Sequence, residues 1–347
     1  MQVTVTQFGK TNLGKDIKLY TMKKENGMEA SVTNLGACLV RLLVPNDRGE
    51  VRDVVLGFDS AEEYLYNPSF MGGTIGRSAN RLAGAKFSID GKEYPLSVND
   101  NDNNLHSEFG KGFHKVIWDA KTGEDQVKFS YHSPDMENGF PGNLDISVTY
   151  TLTDDAIEIE YDGVCDQKTL INMTNHSYFN LAGHDSGTIR NTKLTINASN
   201  YTPVVAGAIP TGEIAPVAGT VMDFTSEKTI GQDNDACFEQ LILVQGYDHN
   251  YVIDDHTGEM KLVASAYADG RRMDVYSDLP GIQFYAGNNI ATQTGKKGAT
   301  YGKCSGFCLE TQYFPNSVNE PAFESPVFDA NERYHTKTVY KFSRQSA

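Results

Sequence analysis

Residues 145–163, DISVTYTLTDDAIEIEYDG, constrain the fold more than any other stretch of this chain. Ile146, Val148, Tyr150 and Leu152 alternate with polar residues, the chain turns near Asp154-Asp155, and Ile157, Ile159 and Tyr161 return on the same face. A period of two means half-buried antiparallel strands, because residues i and i+2 of a strand share a face whereas a helix repeats every three to four. Residues 87–96, FSIDGKEYPL, repeat the pattern around Asp90-Gly91, the strongest short hairpin signal.

Short alternating runs recur as KLTINAS, NYVID, KLVASAYADGRRMDVYSD, GIQFYAG, FCLETQY and TKTVYKFS, with Gly, Asn, Asp or Pro between them. Helical periodicity is confined to a turn at SAEEYLY, residues 60–66. The 32 glycines, 18 tyrosines and 17 phenylalanines favour strands and tight turns. The expected fold is all-β, a large antiparallel β-sandwich. With no linker, repeat or low-complexity segment in view, residues 1–347 are expected to form a single domain.

The formal charge of −15 repels a phosphate backbone and an anionic bilayer, so nucleic acid and membrane are poor partners and a neutral small molecule suits the chain better. Cys38, Cys165, Cys237, Cys304 and Cys308 are an odd set without CxxC, which reads as reduced thiols rather than a disulfide framework or zinc knuckle. No stretch approaches the ~18 apolar residues that span a bilayer, and no start resembling a signal peptide precedes MQVTVTQFGK. A cytoplasmic location is expected, or a secreted or periplasmic one if a leader was removed.

Polar clusters interrupt the alternation at GRSANRLAG, NNLHSEFGKGFHK, TNHSYFNLAGH, GYDHNYV, PGIQFYAGN and FCLETQYFPNS. A sandwich can gather such scattered segments on one concave face. Their amides, imidazoles, carboxylates and guanidinium beside Tyr and Phe suit a neutral polyol, which needs directional hydrogen bonds and apolar surface for its C–H faces. His176 has Asn175 and Asn180 nearby, which can hold hydroxyls or fix an imidazole tautomer; its plainer reading is a structural histidine. Glu310 shares a strand face with Cys308 inside an apolar run. It reads either as a carboxylate paired with Arg or Lys, or as a general base tuned by desolvation.

His106, Asp248 and Arg81 are candidate substrate contacts, although each alone reads equally as a turn or rim residue. Trp118 is assigned to the core. His114, His132, His184, His249, His256 and His335 lie in polar segments and are expected at the surface, His249 alone being kept as a candidate. The motifs GxxxxGK[ST], GxSxG and HExxH are missing from the sequence, which withdraws support from phosphate-loop enzymes, serine hydrolases of that type and zincins. Four N-x-[ST] sequons begin at Asn172, Asn175, Asn197 and Asn200; two bracket His176, and they read as chance.

Taken in order, NRLAGAKFSIDGKEYPL, TNHSYFNLAG, GYDHNYV, PGIQFYAGN and FCLETQYFPNS resemble the galactose mutarotase, or aldose 1-epimerase, family over nearly the whole chain. The resemblance implies a mutarotase-like β-sandwich that interconverts the α and β anomers of hexopyranoses such as D-galactose and D-glucose, without cofactor or metal. By motif it implies Glu310 as general base and His176 as general acid, with His106 and Arg81 toward the ring oxygen, Asp248 on sugar hydroxyls, and Asn80 and Gln283 as further contacts. It also implies a monosaccharide as the only required partner, with the protein a monomer or homodimer. Where the family reads LHGG, this chain reads LHSEFGKGF, so Ser107 and Glu108 replace glycines at the pocket rim.

The implied reaction needs a carboxylate and an imidazolium together, and a neighbouring cation is expected to lower the pKa of Glu310 while the carboxylate keeps His176 charged. Three other readings stand beside it. One is a non-catalytic carbohydrate-binding protein on the same fold. Another is a metal-dependent isomerase using His106, His176 and His249. The last is a relative acting on sugar phosphates through Lys111, Lys115 or Arg77.

Overall fold

The computed structural model describes residues 3–344, and three large antiparallel sheets carry its architecture. The first joins five strands between Thr4–Lys10 and Val51–Asp53 in chain order. The second has nine strands, with Leu144–Leu152, Ala156–Cys165 and Arg333–Arg344 at its centre. The third has five, and Asp248–Val252, Gly281–Tyr285 and Cys308–Gln312 lie side by side at one end of it, the last at its edge.

The alternation seen in the sequence is the register of the large sheet. Val148 pairs with Tyr161, Tyr150 with Ile159 and Leu152 with Ile157, and all six are buried. The expected hairpin joins Lys86–Ile89 to Lys92–Pro95, where Asp90 and Gly91 both hold positive φ (50° and 79°), the backbone a twisted two-residue turn requires. At SAEEYLY a helix forms over Ala61–Tyr66, started by a capping box between Ser60 and Glu63. A second helix, Glu239–Val244, was not foreseen; its six residues make less than two turns, too few to show a 3.6-residue period.

One apolar core unites the inner face of the nine-stranded sheet with one face of the third sheet. Across it, Tyr340 Oη donates to the Leu309 carbonyl at 2.9 Å and the hydroxyls of Thr311 and Thr338 meet at 2.5 Å. Trp118 is buried there, its Nε1–H donating to the Phe113 carbonyl at 3.0 Å. All five cysteines are free thiols, and only Cys237 is exposed. Among the described residues no helix is long and apolar enough to cross a membrane.

The expectation of surface histidines holds for His132 and His335 but fails for His114, His184 and His249, which are buried. Each finds a hydrogen-bond partner, which makes burial tolerable for a neutral ring. His114 Nε2 lies 3.1 Å from the Phe109 carbonyl, His184 Nδ1 2.9 Å from Tyr301 Oη, and His249 Nδ1 accepts the Asp248 N–H at 3.2 Å. Two of the three cations considered for an anion pocket, Arg77 and Lys115, are otherwise engaged. The buried guanidinium of Arg77 donates to the carbonyls of Ser133, Pro141 and Gly142 (2.9, 2.8 and 2.8 Å), and Lys115 caps the end of the Ala61–Tyr66 helix at the Leu65 and Tyr66 carbonyls (3.0 and 2.9 Å).

Candidate active site

The third sheet has an apolar face and a polar one, and the register explains the second. Asp248 sits opposite Tyr285 and Tyr285 opposite Cys308; in the next row Asn250 faces Gln283 and Gln283 faces Glu310. Residues two apart on a strand share a face, so Asp248 and Asn250, Gln283 and Tyr285, and Cys308 and Glu310 form two polar rows behind one cavity. Leu309, Ile282 and Phe284 take the opposite face and enter the core.

The segment TNHSYFNLAGH is stitched along the strand carrying Glu310. Thr174 Oγ1 donates to the Thr311 carbonyl at 2.9 Å, and Phe179 and Phe307 exchange backbone hydrogen bonds at 2.7 and 2.9 Å. His176 lies between these ties, its own N–H bonded to the Gly73 carbonyl and its carbonyl to the Gly72 N–H, both at 2.9 Å. Nε2 of its imidazole consequently stands 3.8 Å from Oε1 of Glu310, with the residues 5% and 2% exposed. Phe70 stacks on the His176 ring at 5.9 Å and Tyr178 tilts against it at 4.9 Å.

A cavity of about 190 Å³ opens over this pair, and its walls include Phe70, Asn80, Arg81, His106, Tyr178, Asp248, Tyr285 and Asn289. Six of the seven site residues expected from the sequence line it together. Gln283 does not; it stands behind Asp248, donating from Nε2 to Oδ1 at 2.7 Å. Phe70, Tyr178, Tyr285 and Asn289 were missed. Tyr178 and Tyr285 carried a signal, each sitting two residues from an expected site residue, His176 and Gln283, on the same extended segment. A larger, open depression of about 450 Å³ on the nine-stranded sheet gathers mainly strand-surface side chains such as the exposed His132–Asp145 pair.

Asn175 and Asn180 do not touch the imidazole. Asn175 Nδ2 donates to the Gly72 carbonyl and Tyr150 Oη (3.1 and 3.0 Å), and Asn180 Nδ2 to the Gly187 and Ser305 carbonyls (3.2 and 3.0 Å). Both amides shape the loop instead. Nδ1 of His176 meets the thiol of Cys308 at 3.5 Å.

His106 and Asn80 hold each other in place: the His106 N–H donates to the Asn80 carbonyl at 2.9 Å, and the Asn80 N–H donates to His106 Nδ1 at 3.1 Å. Because Nδ1 accepts, Nε2 of the neutral ring carries the hydrogen and is a donor. Arg81 pairs through Nε with Asp100 at 2.6 Å, its side chain 16% exposed and its guanidinium beside the cavity.

Burial governs the ionisation of the site, and here the expected directions are reversed. Desolvation lowers His176 to about 4, and it pushes Glu310 well above the usual carboxylate range, aided by repulsion from Asp248 and opposed by Arg81. Oε2 of Glu310 has no hydrogen-bond partner to stabilise a charge. Asp248 is likewise raised by burial, and His106 is held well below its ordinary value by burial and by His176. Both directions favour the uncharged forms, a protonated Glu310 and a neutral His176, because an enclosed site penalises a charge on either group.

Donor atoms of His106, His176 and Glu310 all lie within 4.8 Å of one another, a possible metal set. The surroundings of His106 do not fit one, because a metal-bound histidine donates its second ring N–H, whereas His106 Nδ1 accepts from Asn80. His249, the third ligand of the metal reading, lies on the opposite face of its strand, edge-on to Tyr201. Of the cations proposed for a phosphate pocket, none lines the cavity, where Arg81 stands beside Asp248. At the rim, Ser107 Oγ bridges the N–H and carbonyl of Ser78 (2.8 and 3.0 Å), and Glu108 bonds to Ser97 and Gly110. Ser107 follows the lining residue His106 directly, and Phe109, next to Glu108, packs on Phe70 at 5.5 Å.

Comparison with known proteins agrees with this geometry. The family model described as aldose 1-epimerase matches residues 18–341. The chain is 40% identical to galactose mutarotase of Rattus norvegicus over 99% of both chains, and 41% identical to galactose mutarotase of Homo sapiens over 91% of both. The crystal structure of an aldose epimerase homologue from C. elegans superposes with a TM-score of 0.87 at 28% identity, covering 94% of this chain and 99% of that one.

Proposed function

This chain belongs to the aldose 1-epimerase family, and we propose that Glu310 and His176 are the base and acid of its reaction. The enzyme interconverts the α and β anomers of aldoses, an isomerisation. The observation that carries the residue assignment is the buried contact of His176 Nε2 with Glu310 Oε1 beneath a cavity about the size of one hexose.

Ring opening removes the proton of the C1 hydroxyl and supplies one to the ring oxygen as the C1–O5 bond breaks. In the productive state the proton resting on Glu310 has moved to Nε2 of His176, giving carboxylate and imidazolium with no change in proton count. A bound sugar favours that state, since its C1 hydroxyl donates to the carboxylate and its ring oxygen accepts from the imidazolium. Glu310 then takes the C1 proton while His176 protonates the ring oxygen. Rotation about C1–C2 presents the other face of the aldehyde, and the same groups run backwards to close the ring.

The remaining lining residues suit orientation. Arg81 and the Nε2–H of His106 donate to sugar oxygens, Asp248 accepts from hydroxyls under the support of Gln283, and Phe70, Tyr178 and Tyr285 face the C–H surfaces. D-galactose and D-glucose are the proposed hexoses. A non-catalytic sugar binder would use the same walls but has no need of a proton-sharing pair at their base, so that reading is not favoured.

Polarimetry of freshly dissolved α-D-galactose tests the assignment. The parent protein is expected to speed the decay of rotation, and His176→Asn to lose ~10²-fold or more of that rate, a typical share for one acid or base. A His176→Asn protein as fast as the parent would remove His176 from the chemistry.

A further inference from the structure

Cys308 and Glu310 project from the same strand face two residues apart, and they meet the two nitrogens of one imidazole. Glu310 Oε1 is 3.8 Å from Nε2 and Cys308 Sγ is 3.5 Å from Nδ1. We propose that Cys308 is a positioning residue whose sulfur accepts the Nδ1–H of His176, so that the proton which travels during the reaction is always the one on Nε2. The inference rests on the assignment of His176 as the acid.

Three features support it. First, Glu310 Oε1 is the carboxyl atom facing Nε2, at 3.8 Å, and a neutral imidazole that is to take up a proton on that side carries its own hydrogen on Nδ1, toward the sulfur. Second, the ring has little freedom to turn away, being bounded by Phe70 and Tyr178 and anchored by backbone bonds to Gly72 and Gly73. Third, Cys308 is completely buried and its pKa is pushed well above the ordinary thiol value, chiefly by burial, so the sulfur stays an uncharged thiol. A carboxylate in its place would hold the imidazolium proton more tightly, lowering the pKa of neither nitrogen and weakening the acid that must protonate a feebly basic ether oxygen. A thiol orients the ring without that penalty. Throughout the cycle Nδ1 keeps its hydrogen, and no tautomer change intervenes between opening and closing.

Nitrogen-15 NMR of the sugar-free parent labelled at histidine, with the His176 signals identified by their loss in His176→Asn, reads the tautomer directly. The expected result at pH 7 is a neutral ring protonated on Nδ1; a ring protonated on Nε2 overturns the proposal whatever the variants do. Cys308→Ala is expected to lose roughly 3- to 10-fold in kcat, the worth of one modest hydrogen bond, with KM little changed and a mixed tautomer in the spectrum. Cys308→Ser, whose oxygen can accept the same hydrogen, should restore both readings. An alanine variant with the parent's kcat and a pure Nδ1–H ring would also overturn it. Activity of the parent and its loss in His176→Asn stay separate from these outcomes, so failure here leaves the acid assignment standing.

Discussion

Replacing Glu310 by Gln tests the pair through two properties that move in opposite directions. The amide is nearly isosteric, yet it can neither take the C1 proton nor lend one to Nε2 of His176, 3.8 Å away. A general base is worth ~10²–10⁴-fold, and here its loss also strands the acid, because the two groups share a single proton. A fall of ~10³-fold in kcat is the expected outcome, about 4 kcal/mol at 1.36 kcal/mol per decade. Folding should respond the other way. Glu310 is 2% exposed, its Oε2 lacks a partner, and burial raises its pKa, so a neutral amide relieves a desolvation cost and the melting temperature should equal or exceed the parent's. Polarimetry with α-D-galactose and thermal unfolding of the same preparation read both. The double variant Glu310→Gln/His176→Asn should lie within about tenfold of the single one, since residues that act as a unit are not additive. Independent losses that multiply toward ~10⁵-fold or beyond, or a variant retaining a tenth of parental activity, would refute the shared-proton reasoning.

Gln283→Leu leaves Asp248 buried without the donor now 2.7 Å from its Oδ1, and a hydrogen bond to a charged group is worth about 1.5–3 kcal/mol. A drop of roughly 10- to 100-fold in kcat/KM for galactose is expected, and an unchanged value would show that Gln283 does not support the sugar contacts. Acid should destabilise the fold through His114 and His249, which burial lowers to about 3 in the folded state. Their unfolded forms take up protons below an ordinary value of ~6.5 while the folded forms do not, so stability is fully present above that value and is lost as pH falls from 6.5 toward 3. Between pH 7 and pH 5 the loss is about 2 kcal/mol per ring, measurable by urea unfolding; His249→Gln should shrink the difference, and an equal difference in parent and variant would contradict the assignment.

The alternation of residues 145–163 was legible because each strand of the nine-stranded sheet buries one face, and burial on one side writes a period of two into the sequence. Glu310 was legible for another reason, a carboxylate embedded in an otherwise apolar run beside Leu309. The pairing of Glu310 with His176 was not readable from spacing, since 134 positions separate them and long-range ties such as those at Thr311 and Phe307 bring their segments together. Phe70 and Tyr285 escaped notice because an aromatic ring in a β-rich chain looks the same whether it faces a core or a cavity. The protonation states were misjudged for a different reason: sequence reveals which charges are neighbours but not how far water is excluded from them, and exclusion decides the sign here. His114, His184 and His249 show the same blindness, as polar flanking residues concealed rings whose partners lie elsewhere in the chain.

The stitching of residues 174–179 along the strand of Glu310 has a consequence for how such an enzyme can change. Acid and base are registered to each other by backbone ties a few residues away, whereas other walls of the cavity are furnished by separate excursions such as residues 68–70. Alterations to those excursions can retune which sugars enter without disturbing the spacing on which turnover depends. Reaction and selectivity are thus mounted on different supports, and a lineage is free to remodel one while the other stays fixed.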